Sequence, residues 1–289
     1  MGTSAGAGDS GPPRHGAYGL RLTGLVAASR FLIEVPDTWP HLTIEHVLGR
    51  AIAIEQGSLG DHRAEFRVLD QTDQPGCARI DRKPLTARFT SPGGFGDAEM
   101  IHPNLGLLAA IANRWLGRQA IHAGAFLTGG GAWAVMGAKE AGKSSTLGHL
   151  ATKGLGIVTD DVLIVEDGSA LAGPRCVDLR AGAADWLGHG ECYDINGRRR
   201  WRVHVPAVPA AVPLQGWILP AWGDRVELEP VLLVRRLPIL YANLALTKIP
   251  HHPEQLLRLA SLPFLIFRRP RRWQAMDEAA TILLDRLDS

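Results

Sequence analysis

From Gly137 to Ser144 the chain reads Gly137, Ala138, Lys139, Glu140, Ala141, Gly142, Lys143, Ser144, which is the G-x-x-x-x-G-K-S spacing of a phosphate-binding loop. Glycine at either end lets the backbone turn tightly, so that successive N–H groups point inward at an anion and the start of the next helix adds its positive end. Lys143 is placed to reach the β- and γ-phosphates of a nucleotide, and the Ser144 hydroxyl to ligate Mg²⁺. With Ser145 opening the helix, residues 137–145 form the candidate nucleotide-binding segment, and ATP with Mg²⁺ is the expected ligand pair.

Three other groups of residues could do chemistry beside that loop. Asp160 and Asp161 end the apolar run Leu155 to Thr159. Carboxylates at a strand end beside a phosphate suit two tasks: holding Mg²⁺, through water, and accepting the proton of an attacking hydroxyl. His122 stands 15 residues before Gly137 in an apolar stretch. A lone histidine there is commonly a satisfied core residue, yet a hairpin back to the loop would bring it near the nucleotide. In the basic run Arg198 to Arg202, Arg200 and Arg202 fall on one face of a strand, and one of them is expected to stabilise charge on the phosphoryl group. The cluster Arg268, Arg269, Arg271 and Arg272 around Pro270 suits either a grip on an acidic peptide or a solvated turn, and the turn is the expectation.

These residues need elements to hold them. Trp133 to Met136 reads as a buried strand, Ser145 to Leu150 as helix, and Ile121 to Leu127 as a strand joined to the loop strand through Gly129-Gly130-Gly131. A second hairpin is expected at Asp167-Gly168. Leu105 to Leu116 carries apolar residues at helical spacing, opened by Pro103-Asn104 and closed by Gly117. Downstream, Val208 to Pro213 reads as a linker and Gly216 to Leu219 as a buried strand. Arg225 to Glu229 reads as an exposed strand, and helices are expected over Pro238 to Thr247, Pro253 to Leu262 and Trp273 to Leu287. From Tyr18 to about Glu99 the pattern is strand-like instead, as in Leu20 to Thr23, Leu42 to Ile44, Ala51 to Ile54, Phe66 to Leu69 and Ala78 to Ile80. The expected organisation is a disordered tail over residues 1–17, a small β-rich domain over 18–100 and an α/β (mixed α+β) P-loop catalytic domain over 101–289.

Composition narrows the class. Of 289 residues 46% are hydrophobic and 21% charged, as in ordinary globular proteins, and the formal net charge of +2 argues against a nucleic-acid binder. Cys77, Cys176 and Cys192 are few and irregularly spaced, which fits reduced thiols in the cytoplasm. No apolar run approaches the about 20 residues that span a bilayer, and residues 1–16 lack the apolar core of a signal peptide, so no membrane association is expected.

His122, the loop Gly137 to Ser144, and Asp160-Asp161, with Asp161 18 residues beyond Lys143, together resemble the catalytic domain of HPr kinase/phosphorylase over roughly residues 118–180. The resemblance implies a PEP-carboxykinase-like nucleotide fold and phosphorylation of a serine hydroxyl on a protein. Position by position it implies Lys143 on the phosphates, Ser144 on Mg²⁺, Asp161 as general base and His122 as the active-site histidine. The chain departs from that family in Lys139-Glu140 inside the loop and in lacking its Glu-containing, glycine-rich segment, where Asn196-Gly197 and Arg198 to Arg200 stand instead. It is more similar to divergent HPr-kinase-like serine kinases, some of which accompany lasso-peptide gene clusters and phosphorylate a precursor peptide. The expected function is therefore ATP-dependent transfer to a serine of a peptide or small protein, by a chain that could be a homo-oligomer. A slow ATPase working as a nucleotide switch, and a true HPr kinase/phosphorylase, are the alternatives.

Overall fold

The computed structural model describes residues 14–25, 27–50, 57–247 and 251–288. The expected strand over Ala51 to Ile54, and residues 1–13 of the expected tail, lie outside the described residues.

Alternation builds the first sheet. In Pro75–Asp81, for example, Gly76, Ala78 and Ile80 are buried while the residues between them reach solvent. His15–Ala17 (β1), Leu20–Thr23 (β2), Ile33–Glu34 (β3), His41–Leu48 (β4), Ser58–Leu59 (β5), Arg63–Leu69 (β6), Pro75–Asp81 (β7) and Thr86–Ser91 (β8) pair in the order β3-β1-β2-β4-β8-β7-β6-β5. His15–Ala17 is thus strand, paired with β2 and β3, and not tail as expected.

The helix Leu105–Trp115 (α1) follows, and every residue in it except Leu107 is buried. It is gripped from both sides. Trp115 Nε1 donates to Gly60 O at 3.0 Å and Arg82 Nη2 to Trp115 O at 2.7 Å from the first sheet, while α1 packs on strands of the second. One apolar cluster runs from Ala17 through α1 to Phe264, so the two expected domains share a core across the boundary near residue 100.

The second sheet holds Gln119–Ile121 (β9), Ala123–Thr128 (β10), Gly131–Met136 (β11), Ile157–Thr159 (β12), Leu163–Glu166 (β13) and Ser169–Leu171 (β14). A small third sheet holds Cys176–Leu179 (β15), Glu191–Ile195 (β16) and Arg198–His204 (β17). Ala211–Trp222 (β18), Glu227–Pro230 (β19) and Phe264–Arg269 (β20) return to the second. Its helices are Lys143–Thr152 (α2), Ala181–Leu187 (α3), Leu233–Ala242 (α4), Pro253–Ser261 (α5) and Met276–Leu287 (α6). In β11 successive side chains serve opposite faces: Ala132, Ala134 and Met136 join the core shared with α1, whereas Trp133 and Val135 join a second cluster with Leu147 of α2 and Leu283 of α6. Covered on both faces, the strand is apolar throughout.

Two expectations shift. The Val208 to Pro213 linker gives way at Ala211 to β18, which pairs there with β14. The helix expected from Pro238 starts earlier, at Leu233, with Pro238 inside it. No helix among the described residues is long and apolar enough to cross a membrane.

Strand direction decides where chemistry can gather. β18 runs parallel to β11 and β20 parallel to β18. β10 is antiparallel to β11 and β12 is antiparallel to β10, so β12 also runs with β11. The carboxyl ends of β11, β12, β18 and β20 and the amino end of β10 therefore open onto one edge, the usual place for a ligand in an α/β sheet.

Candidate functional site

A cleft of about 760 Å³ lies at that edge. β11 delivers the loop Gly137 to Ser144 into it, and α2 begins at Lys143. Gly142 holds φ at +91°, so the turn demands glycine, and a Cβ there would come within 2.5 Å of Arg269 Nη2 and displace that guanidinium. Lys143 Nζ donates to the carbonyls of Gly137 at 2.7 Å and Ala138 at 3.3 Å. Burial pulls the Lys143 amine down, opposed by the nearby charges of Asp161 and Asp160. Lys139, Glu140, Ser144 and Ser145 also line the cleft, while Ala141 closes the loop's turn through its N–H to Ala138 O at 3.2 Å. Glu140 is turned to Arg180 Nη1, 2.8 Å away, which draws its carboxyl down and keeps its charge from facing an anion alone.

β12 delivers the two aspartates, and their surroundings differ. Asp160 accepts from Ser144 Oγ at 3.0 Å and from the Asp178 N–H at 3.1 Å. Burial first, then the charge of Asp161, pushes its carboxyl up to about 7. Asp161 is half-exposed and holds φ at +73°, a left-handed conformation that an aspartate adopts at a cost and that is frequent at functional sites. His122, between β9 and β10, places Nδ1 3.4 Å from Asp161 Oδ1. A second histidine was not anticipated: His102, in the irregular turn before α1, places Nδ1 3.9 Å from Asp161 Oδ2. Nothing local in His102-Pro103 marks it; only the packing of α1 on the second sheet carries it there.

The arginines sort differently from expectation. Arg202 is not a candidate for phosphoryl contact. It lies directly opposite Asp178 in the β15–β17 pair and donates Nε to Oδ1 and Nη2 to Oδ2, both at 2.7 Å, with the two side chains 1% and 5% exposed. Phe31 and Tyr193 flank its guanidinium. Arg200 is half-buried and does line the cleft. Arg269, read from the sequence as part of a solvated turn, ends β20 and is 3% exposed. Its guanidinium lies over Trp222 at 4.6 Å and against the loop at Gly142, with Nη2 3.5 Å from Thr146 Oγ1. No carboxylate among the described residues pairs with it, its Nε has no hydrogen-bond partner, and burial alone draws it down to about 10. The apolar run Phe264 to Phe267 before it was the available signal of a buried strand.

The donor set suits Mg²⁺. A hydroxyl and one carboxylate leave places for phosphate oxygens and water, as that ion prefers, and the raised Asp160 carboxyl is what a divalent cation would restore to its charged form. No group of three or more acidic, histidine or cysteine side chains among the described residues forms a self-sufficient metal cage.

No family model and no curated protein matches the chain. Among solved structures the chain is similar to the Hpr(Ser) kinase/phosphatase from Coxiella burnetii, at 14% identity and a TM-score of 0.30, over 59% of this chain and 97% of that one. At that overlap the likeness bears no functional weight, and what the site can do follows from its own residues.

Proposed function

We propose that this protein is a Mg²⁺- and ATP-dependent phosphotransferase that moves the γ-phosphoryl group to a serine hydroxyl of a peptide or small protein. The supporting observation is the row Ser144, Asp160, Asp161, His122, in which two adjacent carboxylates have separate environments. Asp160 is half-buried behind the hydroxyl and would hold the metal with Ser144; Asp161 stands in the cleft beside His122 and would act as the base. A nucleotide switch has no need of that second carboxylate.

Mg²⁺, when bound, would neutralise charge on the β- and γ-phosphates. Lys143 and Arg269 meet the same oxygens from the protein side. Asp161 accepts the serine proton as the serine oxygen bonds to phosphorus and the bond to the β-phosphate oxygen breaks, the electron pair leaving with ADP. His122 and His102 flank the two Asp161 oxygens, at 3.4 and 3.9 Å. Arg200, with Trp201 and the exposed Arg198 and Arg199 on its hairpin, suits an extended peptide whose carboxylates are held by guanidinium forks.

The test is incubation with Mg²⁺-ATP and either short serine peptides with acidic ends, including lasso-type precursors, or HPr, read by intact mass. One added phosphate on a peptide, none on HPr and no transfer by Lys143→Ala are expected. Full transfer by Lys143→Ala would sink the reading.

A further inference from the structure

Beyond the phosphate loop the cleft has a wall that the transfer above does not use. The whole cleft, about 760 Å³, is in the range that houses a complete cofactor-sized ligand. Trp273 lines it. One indole face is stacked on Trp186 of α3, with centroids 5.5 Å apart and planes 15° from parallel, and Trp186 rests in turn on His149 of α2 at 5.1 Å. Part of the Trp273 surface that Trp186 leaves uncovered packs on the second apolar cluster, and Trp273 also lines the cleft.

Its neighbours are small. A Cβ on Gly182, at the start of α3, would lie 3.8 Å from Trp273 Cζ2, at contact distance, so the glycine keeps that edge of the ring free of a side chain. Two residues earlier, Arg180 holds Glu140 of the loop at 2.8 Å, which fixes this wall to the Glu140 side of the phosphate site. A half-buried indole propped by a second ring and by the apolar cluster behind it, with the rest of its surface in the cleft, is a platform for a flat π system. Trp222 is not such a platform, because Arg269 and Arg271 lie over it at 4.6 and 5.5 Å. Among the described residues the lining also offers Leu179, Gly182, Ala183 and Arg272; it holds no amide side chain, and its hydroxyls, Ser144 and Ser145, belong to the phosphate loop.

We propose that Trp273 stacks the nucleobase of the bound nucleotide, so that the site takes nucleoside triphosphates over bare polyphosphate with little regard to the base. The assignment rests on the phosphate-loop reading above. Stacking tolerates any base because each has a π face.

Calorimetry in Mg²⁺ with ATP, GTP and inorganic tripolyphosphate tests it. Wild type is expected to bind ATP and GTP within about 5-fold of each other and both more tightly than tripolyphosphate. Trp273→Ala should weaken ATP and GTP by about 10- to 100-fold and leave tripolyphosphate unchanged. Trp273→Phe, which keeps a ring in place, should lose only a few-fold, and it decides the matter should Trp273→Ala not fold. Unchanged ATP affinity in Trp273→Ala, a parallel loss of tripolyphosphate, or GTP binding about 100-fold weaker than ATP overturns the proposal. Failure is distinguishable from failure of the loop: Lys143→Ala should lose all three ligands. A wild type that binds none of them overturns the loop reading and the base platform together.

Discussion

Asp70, buried in the amino-terminal sheet, and Asp160, half-buried at the cleft, are both carboxylates drawn out of solvent, and their surroundings drive them apart. Asp70, just past β6, accepts from the Thr72 N–H, the Thr72 hydroxyl and the Gln74 N–H at 2.8 to 2.9 Å on one oxygen, and from the Gly93 N–H at 2.7 Å on the other. Burial works against its charge, but these donors outweigh it and hold the carboxyl at about 2. Asp160 has only a serine hydroxyl and one N–H, with Asp161 alongside, and stands at about 7. The first is complete in itself and ties two turns together. The second has fewer donors and a charged neighbour, an arrangement that a bound cation would complete, which is how a site differs from a scaffold. The arginines repeat the contrast, with Arg202 locked to Asp178 and Arg269 carrying no carboxylate partner among the described residues.

The largest expected effect separates Asp161 from Asp160. Asp161→Asn should lower phosphoryl transfer by about 10² to 10⁴ while ATP binding and melting temperature hold, because the amide keeps the shape and cannot take the proton. Collapse of ATP binding would make Asp161 a metal or structural group and move the base to Asp160.

Asp70→Ala should instead cost about 3 kcal/mol of stability, since buried N–H donors lose their acceptor, and lower the melting temperature by roughly 10 °C, leaving turnover per folded molecule unchanged. An unchanged melting temperature would mean that water replaces the carboxylate, and the two aspartates would differ less than their bonds suggest.

Asp160→Asn should change stability less than Asp70→Ala, and in the opposite direction. Without metal or nucleotide it should gain about 1 kcal/mol at pH 8, while raising the Mg²⁺ concentration needed for ATP binding. The pH dependence gives the sign. Between the ordinary 3.8 and about 7 the folded protein keeps an Asp160 proton that the unfolded chain has released, so this group's share of stability falls as pH rises through that window and is level above it. For Asp70 the order reverses: its share is full above 3.8 and is lost as pH falls toward 2. Urea unfolding of both variants from pH 3 to pH 8 reads the two slopes; equal slopes would erase the contrast.

What lies close together in the chain could be read without the fold. The loop Gly137 to Ser144, the hairpins at Gly129-Gly130 and Asp167-Gly168, the helix from Leu105 and the aspartates after β12 all depend on turn chemistry, periodicity and short spacing, which act over a few residues. The histidine was half-readable, since the hairpin that returns His122 to the loop is local but its contact with Asp161 is not. Arg269, His102 and the Arg202–Asp178 pair were decided by tertiary structure alone. Each depends on a pairing between distant strands or on a helix docking between two sheets: β20 alongside β18, β15 opposite β17, α1 beneath the second sheet. An arginine carries the same charge in a solvated turn, in a buried ion pair and against a phosphate loop. Which of these it occupies is set by the direction and neighbours of its strand, and those are properties of the folded sheet that no run of adjacent residues contains.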